Sequence, residues 1–158
     1  MKLNLVWGTG PEYGIDYLTI NPFVQQENEH IKRGDVCNLD NMVDNGELQE
    51  LIAYDVIDYV DKSRVIPTIQ HWLGKIAHGG KVVIGGVDMY EVSRGLTRYE
   101  LDVIQANELL HGAGDKPYML KRTNFTILGI CDVLTSCNFK IIKRNLDGYK
   151  FVVEAVRQ

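Results

Sequence analysis

Several glycine, amide and acidic residues stand just beyond apolar runs in this chain, and their types define the chemistry on offer. In "VWGTG" Gly8 and Gly10 carry no Cβ, so backbone there can come close to a bound molecule. Asn21 ends "LTIN", Asp35 follows "IKRG", Asp55 and Asp58 lie in "AYDVIDYV", and Asp88 ends "KVVIGGVD". Carboxylates accept hydrogen bonds from hydroxyls or take up a proton, and a tyrosine such as Tyr59 can do either through its phenol. Each position also has a plain structural use: a tight turn for the glycines, a loop cap for Asp35, turn chemistry for Asn21-Pro22, a solvated strand end for Asp55 and Asp58. Metal chemistry is not expected. Cys37, Cys131 and Cys137 form no CxxC pair, and the histidines at 30, 71, 78 and 111 are not at ligand spacing.

The elements that would position these residues follow from periodicity. Lys2–Trp7, Tyr17–Ile20, His30–Lys32 and Leu48–Ile57 read as strands, the first crossover being too short for a helix of normal length. From Asp61 the period changes. Val65, Ile66, Ile69, Trp72, Leu73 and Ile76 recur at helical spacing, with Asp61 or Ser63 as cap and Gly79-Gly80 as stop. Lys81–Val87 is a β-branched run suited to a strand buried on both faces. Arg98–His111 and Thr123–Cys137 are predicted helices, the latter capped by Thr123 or Asn124. Phe139–Lys143 and Tyr149–Val156 read as a closing hairpin around "NLDG". The pattern predicts an α/β Rossmann-like fold: a mostly parallel sheet, helices on both faces and a C-terminal antiparallel hairpin. Ligands of such sheets sit beyond the carboxyl ends of the strands, which places the residues above on one rim.

At 158 residues with 45% hydrophobic content, the chain is expected to form a single domain, 1–158. A net charge of −4 excludes a general attraction to phosphate backbones; Lys140, Lys143, Arg144 and Lys150 read as a solvated strand face, so no nucleic-acid partner is expected. No long apolar helical run or cleavage pattern is present, and the expected setting is cytoplasmic, away from membranes.

The order of motifs resembles the class I S-adenosylmethionine-dependent methyltransferases, in particular small stand-alone versions from bacteria and phages. The best-matched stretch is "AYDVIDYVDKSRVIPTIQHWLGKIAHGGKVVIGGVD", and with the glycine turn, "GDVCNL" and "FKIIK" the likeness touches nearly the whole chain. The resemblance implies S-adenosylmethionine as cofactor and a small-molecule or sugar-like methyl acceptor. It implies that Gly8 and Gly10 cradle the cofactor arm, and that Asn21 stands where the family has an acid for the ribose hydroxyls. By the same likeness Asp35 contacts adenine, with the Val36 and Cys37 backbone beside the ring, and Tyr54 and Asp55 line the transferable methyl. The sequence departs from the family in carrying Val6 at the first glycine, Trp7 beside it, Asp58-Tyr59 in place of Glu-His, and Leu120 in place of a histidine. Methyl transfer needs a base only when the acceptor must lose a proton. The candidate catalytic groups are then Asp58, Tyr59 and Asp88, with His30 and His111 further off. Met89–Arg122 is the segment that would cover the pocket. The alternative is a non-catalytic relative that keeps the sheet as a binding or assembly module, a homodimer through the hairpin edge being one form. A nucleotide binder of the ordinary Rossmann type is disfavoured, because "GTGPEYG" opens no helix of useful length.

Overall fold

The computed structural model describes residues 1–158. Seven strands make one sheet: β1 (Lys2–Leu5), β2 (Leu18–Ile20), β3 (Ile31–Lys32), β4 (Leu48–Tyr54), β5 (Ile76–Val87), β6 (Phe139–Asp147) and β7 (Lys150–Arg157). Their spatial order is β3-β2-β1-β4-β5-β7-β6. β1 to β5 run parallel; β7 is antiparallel to both β5 and β6. The carboxyl ends of the parallel strands therefore share one rim, and the strand order reverses between β1 and β4, the place where such sheets hold ligands.

Four helices accompany the sheet: α1 (Val65–Lys75), α2 (Met89–Thr97), α3 (Val103–His111) and α4 (Ile127–Ser136). α1 and α4 pack on one face against Leu3, Leu5, Leu51, Ala53, Ile84 and Val153, within a core of 26 buried residues. Trp72 of α1 is fully buried, and its indole N–H donates to the Val36 carbonyl at 2.7 Å, which ties the β3–β4 connection to the helix. The second face is covered unequally. α2 and α3 lie over its rim end at Val87, whereas over β1 and β2 no helix is present and the chain itself turns back: Asn4 Nδ2 donates to the Pro11 carbonyl at 2.9 Å, and the Tyr17 hydroxyl donates to Glu50 at 2.7 Å. Lys81 also reaches Glu50, at 2.6 Å. Burial pushes the Tyr13 and Tyr17 phenols up to about 12. A sheet face that lacks its helical layer is thus finished with paired polar groups in contact with water.

Several expected boundaries move for identifiable reasons. α1 starts at Val65 behind Arg64 without a side-chain cap, not behind Asp61 or Ser63. It ends at Lys75, and Gly79-Gly80 lie inside β5: the register with β4 jumps from Leu48↔Ile76 to Glu50↔Lys81, so residues 77–80 bulge outward. The predicted helix 98–111 begins only at Val103, behind a capping box of Asp102 and Gln105. α2 was not foreseen, although Asp88 followed three residues later by Glu91 is a capping signature. α4 is capped by Thr126, because Phe125 is still extended and bridged to Asp88. The hairpin turns at Gly148-Tyr149, so only the last residue of "NLDG" lies in the turn and its first three extend β6.

Candidate functional site: a glycine turn closed by its own strap

The turn after β1 sits on the rim as expected, yet what approaches its backbone is the protein itself. Gly8 has φ +77°, a conformation open to glycine, and a Cβ there would stand 3.0 Å from Met119 Sδ and 3.4 Å from the Tyr118 ring. Residues 112–122 form a strap over the turn, with a short 3-10 helix at Pro117–Met119. The Trp7 indole N–H donates to the Tyr118 carbonyl at 2.6 Å. Tyr118 stacks on Phe23 with ring centroids 3.9 Å apart, Trp7 meets Phe23 edge-on at 5.0 Å, and Trp7 stacks on Tyr59 at 5.8 Å. Val6 does not enter this cluster. Its side chain supports the returning turn, standing 3.0 Å from where a Gly10 Cβ would be.

Asn21 is consumed in holding the same turn. Its Oδ1 accepts from the Gly8 N–H at 3.3 Å and the Phe23 N–H at 3.0 Å, while its Nδ2 donates to the Gly8 carbonyl at 2.9 Å. Asp35 uses one oxygen to accept from the Cys37 N–H at 2.8 Å, a local loop cap; it remains exposed and lines a cavity of about 350 Å³ with Trp7, Pro22, Arg33 and Gly34. The Val36 side chain lies in the core and its carbonyl faces Trp72, so of the pair beside Asp35 only Cys37 reaches the rim, where burial pushes its thiol up.

The residues on β4 and β5 divide in the same way. Tyr54 turns away from the rim onto the second face, where it packs across Gly85. Asp55 has φ +53°, which is uncommon for a residue with a side chain, and pairs with Lys150 at 3.0 Å. Asp58 is fully buried. Lys121 contacts its Oδ2 at 3.1 Å and the Val87 N–H points to the same oxygen at 3.4 Å, while Oδ1 has no partner. Burial holds the Asp58 carboxyl above its ordinary range, outweighing the pull of the Lys121 ammonium. Tyr59 is buried between Trp7 and Lys121, and burial pushes its phenol up. Asp88 is a double cap, accepting from the Glu91 N–H at 2.9 Å and the Ile127 N–H at 2.8 Å. Of the three groups considered as bases, Asp58 and Asp88 are therefore engaged in structure by their carboxylates, and Tyr59 by its ring. Phe23, Tyr118, Met119 and Lys121 complete the cluster; the last three lie in the segment 89–122 expected to cover the pocket, but their individual contacts were unforeseen, since Tyr118 meets Trp7 across 111 residues and Lys121 meets Asp58 across 63, while Phe23 belongs to the loop after β2. No group of three His, Cys, Asp or Glu side chains is placed to hold a metal ion, and no helix is long and apolar enough to cross a membrane.

No family model matches the sequence, and no curated protein matches it. Its backbone does match solved structures. A SAM-dependent methyltransferase from Archaeoglobus fulgidus superposes with a TM-score of 0.63 over 99% of this chain and 86% of that one, at 10% identity. Magnesium protoporphyrin IX methyltransferase from Synechocystis, solved with bound SAH, gives 0.56 over 90% of this chain and 65% of that one, at 14% identity. An O-methyltransferase family protein from Burkholderia thailandensis gives 0.55 over 81% and 35%, at 13% identity; this chain spans less than two thirds of the length of either of these last two. The chain has the class I methyltransferase fold. Within that fold the glycine turn follows β1 and Asn21 follows β2, both at the rim. As they stand these residues do not fit the cofactor: Met119 and Tyr118 lie on the turn, the Trp7 indole is fastened to Tyr118 with cavities of about 350 and 250 Å³ beside it, and both ends of the Asn21 amide are bonded to the chain.

Proposed function

We propose that this methyltransferase-fold protein works as a non-catalytic binding module whose cofactor hollow is closed by its own residues. The observation that carries this reading is Met119 Sδ lying 3.0 Å from the site of a Gly8 Cβ, so that the approach a glycine turn offers to a ligand is already taken. The engagement of Asp58 and Asp88 in an ion pair and a double cap supports it, because neither carboxylate is free to act on an acceptor. Self-pairing through the β6 edge is disfavoured, since Lys140, Lys143 and Arg144 would bring like charges together across an antiparallel seam. Calorimetric titration of the whole chain with S-adenosylmethionine and with its demethylated product tests the reading. Neither should bind at millimolar concentration; micromolar binding of either would overturn it.

A second reading keeps S-adenosylmethionine as cofactor and a small molecule as methyl acceptor. It is favoured by one specific feature, the unbonded second oxygen of Asp35 at the mouth of the roughly 350 Å³ cavity beside Trp7, where the resemblance expects adenine. That reading requires the strap to lift. Shortening residues 114–119 would then create or strongly tighten cofactor binding, whereas the binding-module reading expects no gain.

A further inference from the structure

A separate cavity of about 520 Å³ opens between α3 and the ends of β5 and β7. Its walls are apolar: Val87 and Leu101 are buried, with Leu109 and Tyr149 packed against them. Three charged side chains border it, namely Lys121, Lys150 and Glu108. Lys121 is the informative one. Its side chain is only 7% exposed, and its ammonium donates to Asp58 at 3.1 Å and to the Leu109 carbonyl at 3.0 Å. An ammonium has three N–H donors, so one is left without a hydrogen-bonded acceptor, beside the Tyr59 ring at 5.9 Å and at the wall of this cavity; an idle buried donor is costly.

The charge balance selects the kind of guest. Lys121 and Lys150 are already opposed by Asp58 and Asp55, and Glu108 adds a further negative charge. A simple anion would meet a site with no net positive charge, and a simple cation would meet two ammonium groups. A molecule carrying both charges and an apolar body satisfies all three walls at once. We propose that this cavity binds a small apolar amino acid, its carboxylate received by Lys121 and by Lys150 at the mouth, its ammonium by Glu108, and its side chain by Val87, Leu101, Leu109 and Tyr149. The inference deepens the binding-module reading and rests on it for treating the cavity as the working site.

The test is a heteronuclear NMR titration of the full chain with L-leucine, isovalerate and isoamylamine, the last two each lacking one charged end. Leucine should shift resonances of Val87, Leu101, Leu109 and Tyr149, and either analogue should bind about tenfold more weakly or worse, the loss of one charge-assisted contact. Glu108 is exposed, so Glu108→Gln should leave the melting temperature unchanged, weaken leucine severalfold and leave isovalerate no weaker than before. No response to leucine at tens of millimolar, or equal binding of isovalerate, would overturn the proposal. The two readings fail separately: a leucine response together with tight S-adenosylmethionine binding would sink the module reading and leave this site standing.

Discussion

Lys121→Met isolates the least compensated electrostatic feature of the fold. In the native protein the Lys121 and Asp58 side chains are 7% and 0% exposed and 3.1 Å apart. Removing the ammonium leaves a fully buried carboxylate whose other oxygen already lacks a partner, and it strips the Leu109 carbonyl of a donor. Breaking one half of a buried pair costs about 3–5 kcal/mol. For a chain of this length each kcal/mol lowers the melting temperature by about 2–4 °C, so the expected drop is about 6–20 °C. Urea unfolding followed by circular dichroism measures the free-energy loss, and a thermal scan the drop in melting temperature. The paired variant Lys121→Met with Asp58→Asn removes the stranded charge and should recover at least about half of the loss, the signature of coupled neighbours.

The sign of the pH effect gives a second readout from the same proteins. The Asp58 carboxyl is raised by burial, so the folded state takes up a proton more readily than the unfolded state. Such a group costs stability above its folded-state pKa, and the cost disappears as pH falls toward the ordinary carboxylate value of about 4. Without Lys121 the shift grows, so the deficit of Lys121→Met should shrink on acidification from neutral pH toward about 4, and the Asn-containing double variant should not show this trend. A loss below about 1 kcal/mol at pH 7, typical of an exposed pair, would refute the argument that this pair is buried and structural.

Other perturbations probe the strap and the caps. Gly8→Ala should destabilise by about 1–2 kcal/mol for the left-handed backbone, with little added by Met119, whose flexible thioether 3.0 Å from the new Cβ can give way; adding Met119→Ala should therefore recover little of the loss, which denaturation of the two variants will show. Tyr118→Ala removes the Phe23 stack but keeps the backbone carbonyl that Trp7 uses, so the cost should stay near 1–2 kcal/mol while protease cleavage within 112–122 accelerates. Asp88→Ala loses one helix cap and orphans the Ile127 N–H, for an expected loss of about 2–4 kcal/mol without effect on leucine binding. Asn21→Asp, which restores the acid expected for a ribose, should lower stability by about 1–2 kcal/mol and confer no cofactor binding, because the Nδ2 bond to the Gly8 carbonyl is replaced by repulsion; nucleoside binding in calorimetry would contradict this.

The fold class and the rim were legible because they rest on period, whereas the order of the strands in the sheet was not read from the sequence. A β-branched run at Lys81–Val87 and the helical spacing of Val65, Ile69, Trp72 and Leu73 are local signals, and burial confirms both. The beginning of β5 was not legible, since the bulge at residues 77–80 exists only in the register with β4. Likewise Thr123 looks like a helix cap from its neighbours alone, but its hydroxyl is drawn to the Val60 carbonyl at 2.7 Å and the chain stays extended to Thr126. At the site, glycine, asparagine and aspartate types are visible in the sequence while their partners are not. Met119 reaches Gly8 and Lys121 reaches Asp58 through a strap more than sixty residues away.

This explains why a glycine turn cannot by itself identify a ligand site. A missing Cβ is required wherever anything lies against the backbone, and a thioether on the protein's own strap meets that condition as well as a nucleoside would. What separates the two cases is the residue between the glycines and the strand. A small residue at position 7 would leave the strap unfastened, whereas Trp7 supplies an N–H that fastens Tyr118 and a face for Tyr59. Asn21 then follows from the same closure. An acid there would face the Gly8 carbonyl, but an amide can donate to that carbonyl and accept from the Gly8 and Phe23 N–H groups together. Trp7 and Asn21 thus serve one turn, each making a contact within the chain to that turn's backbone or to the strap over it.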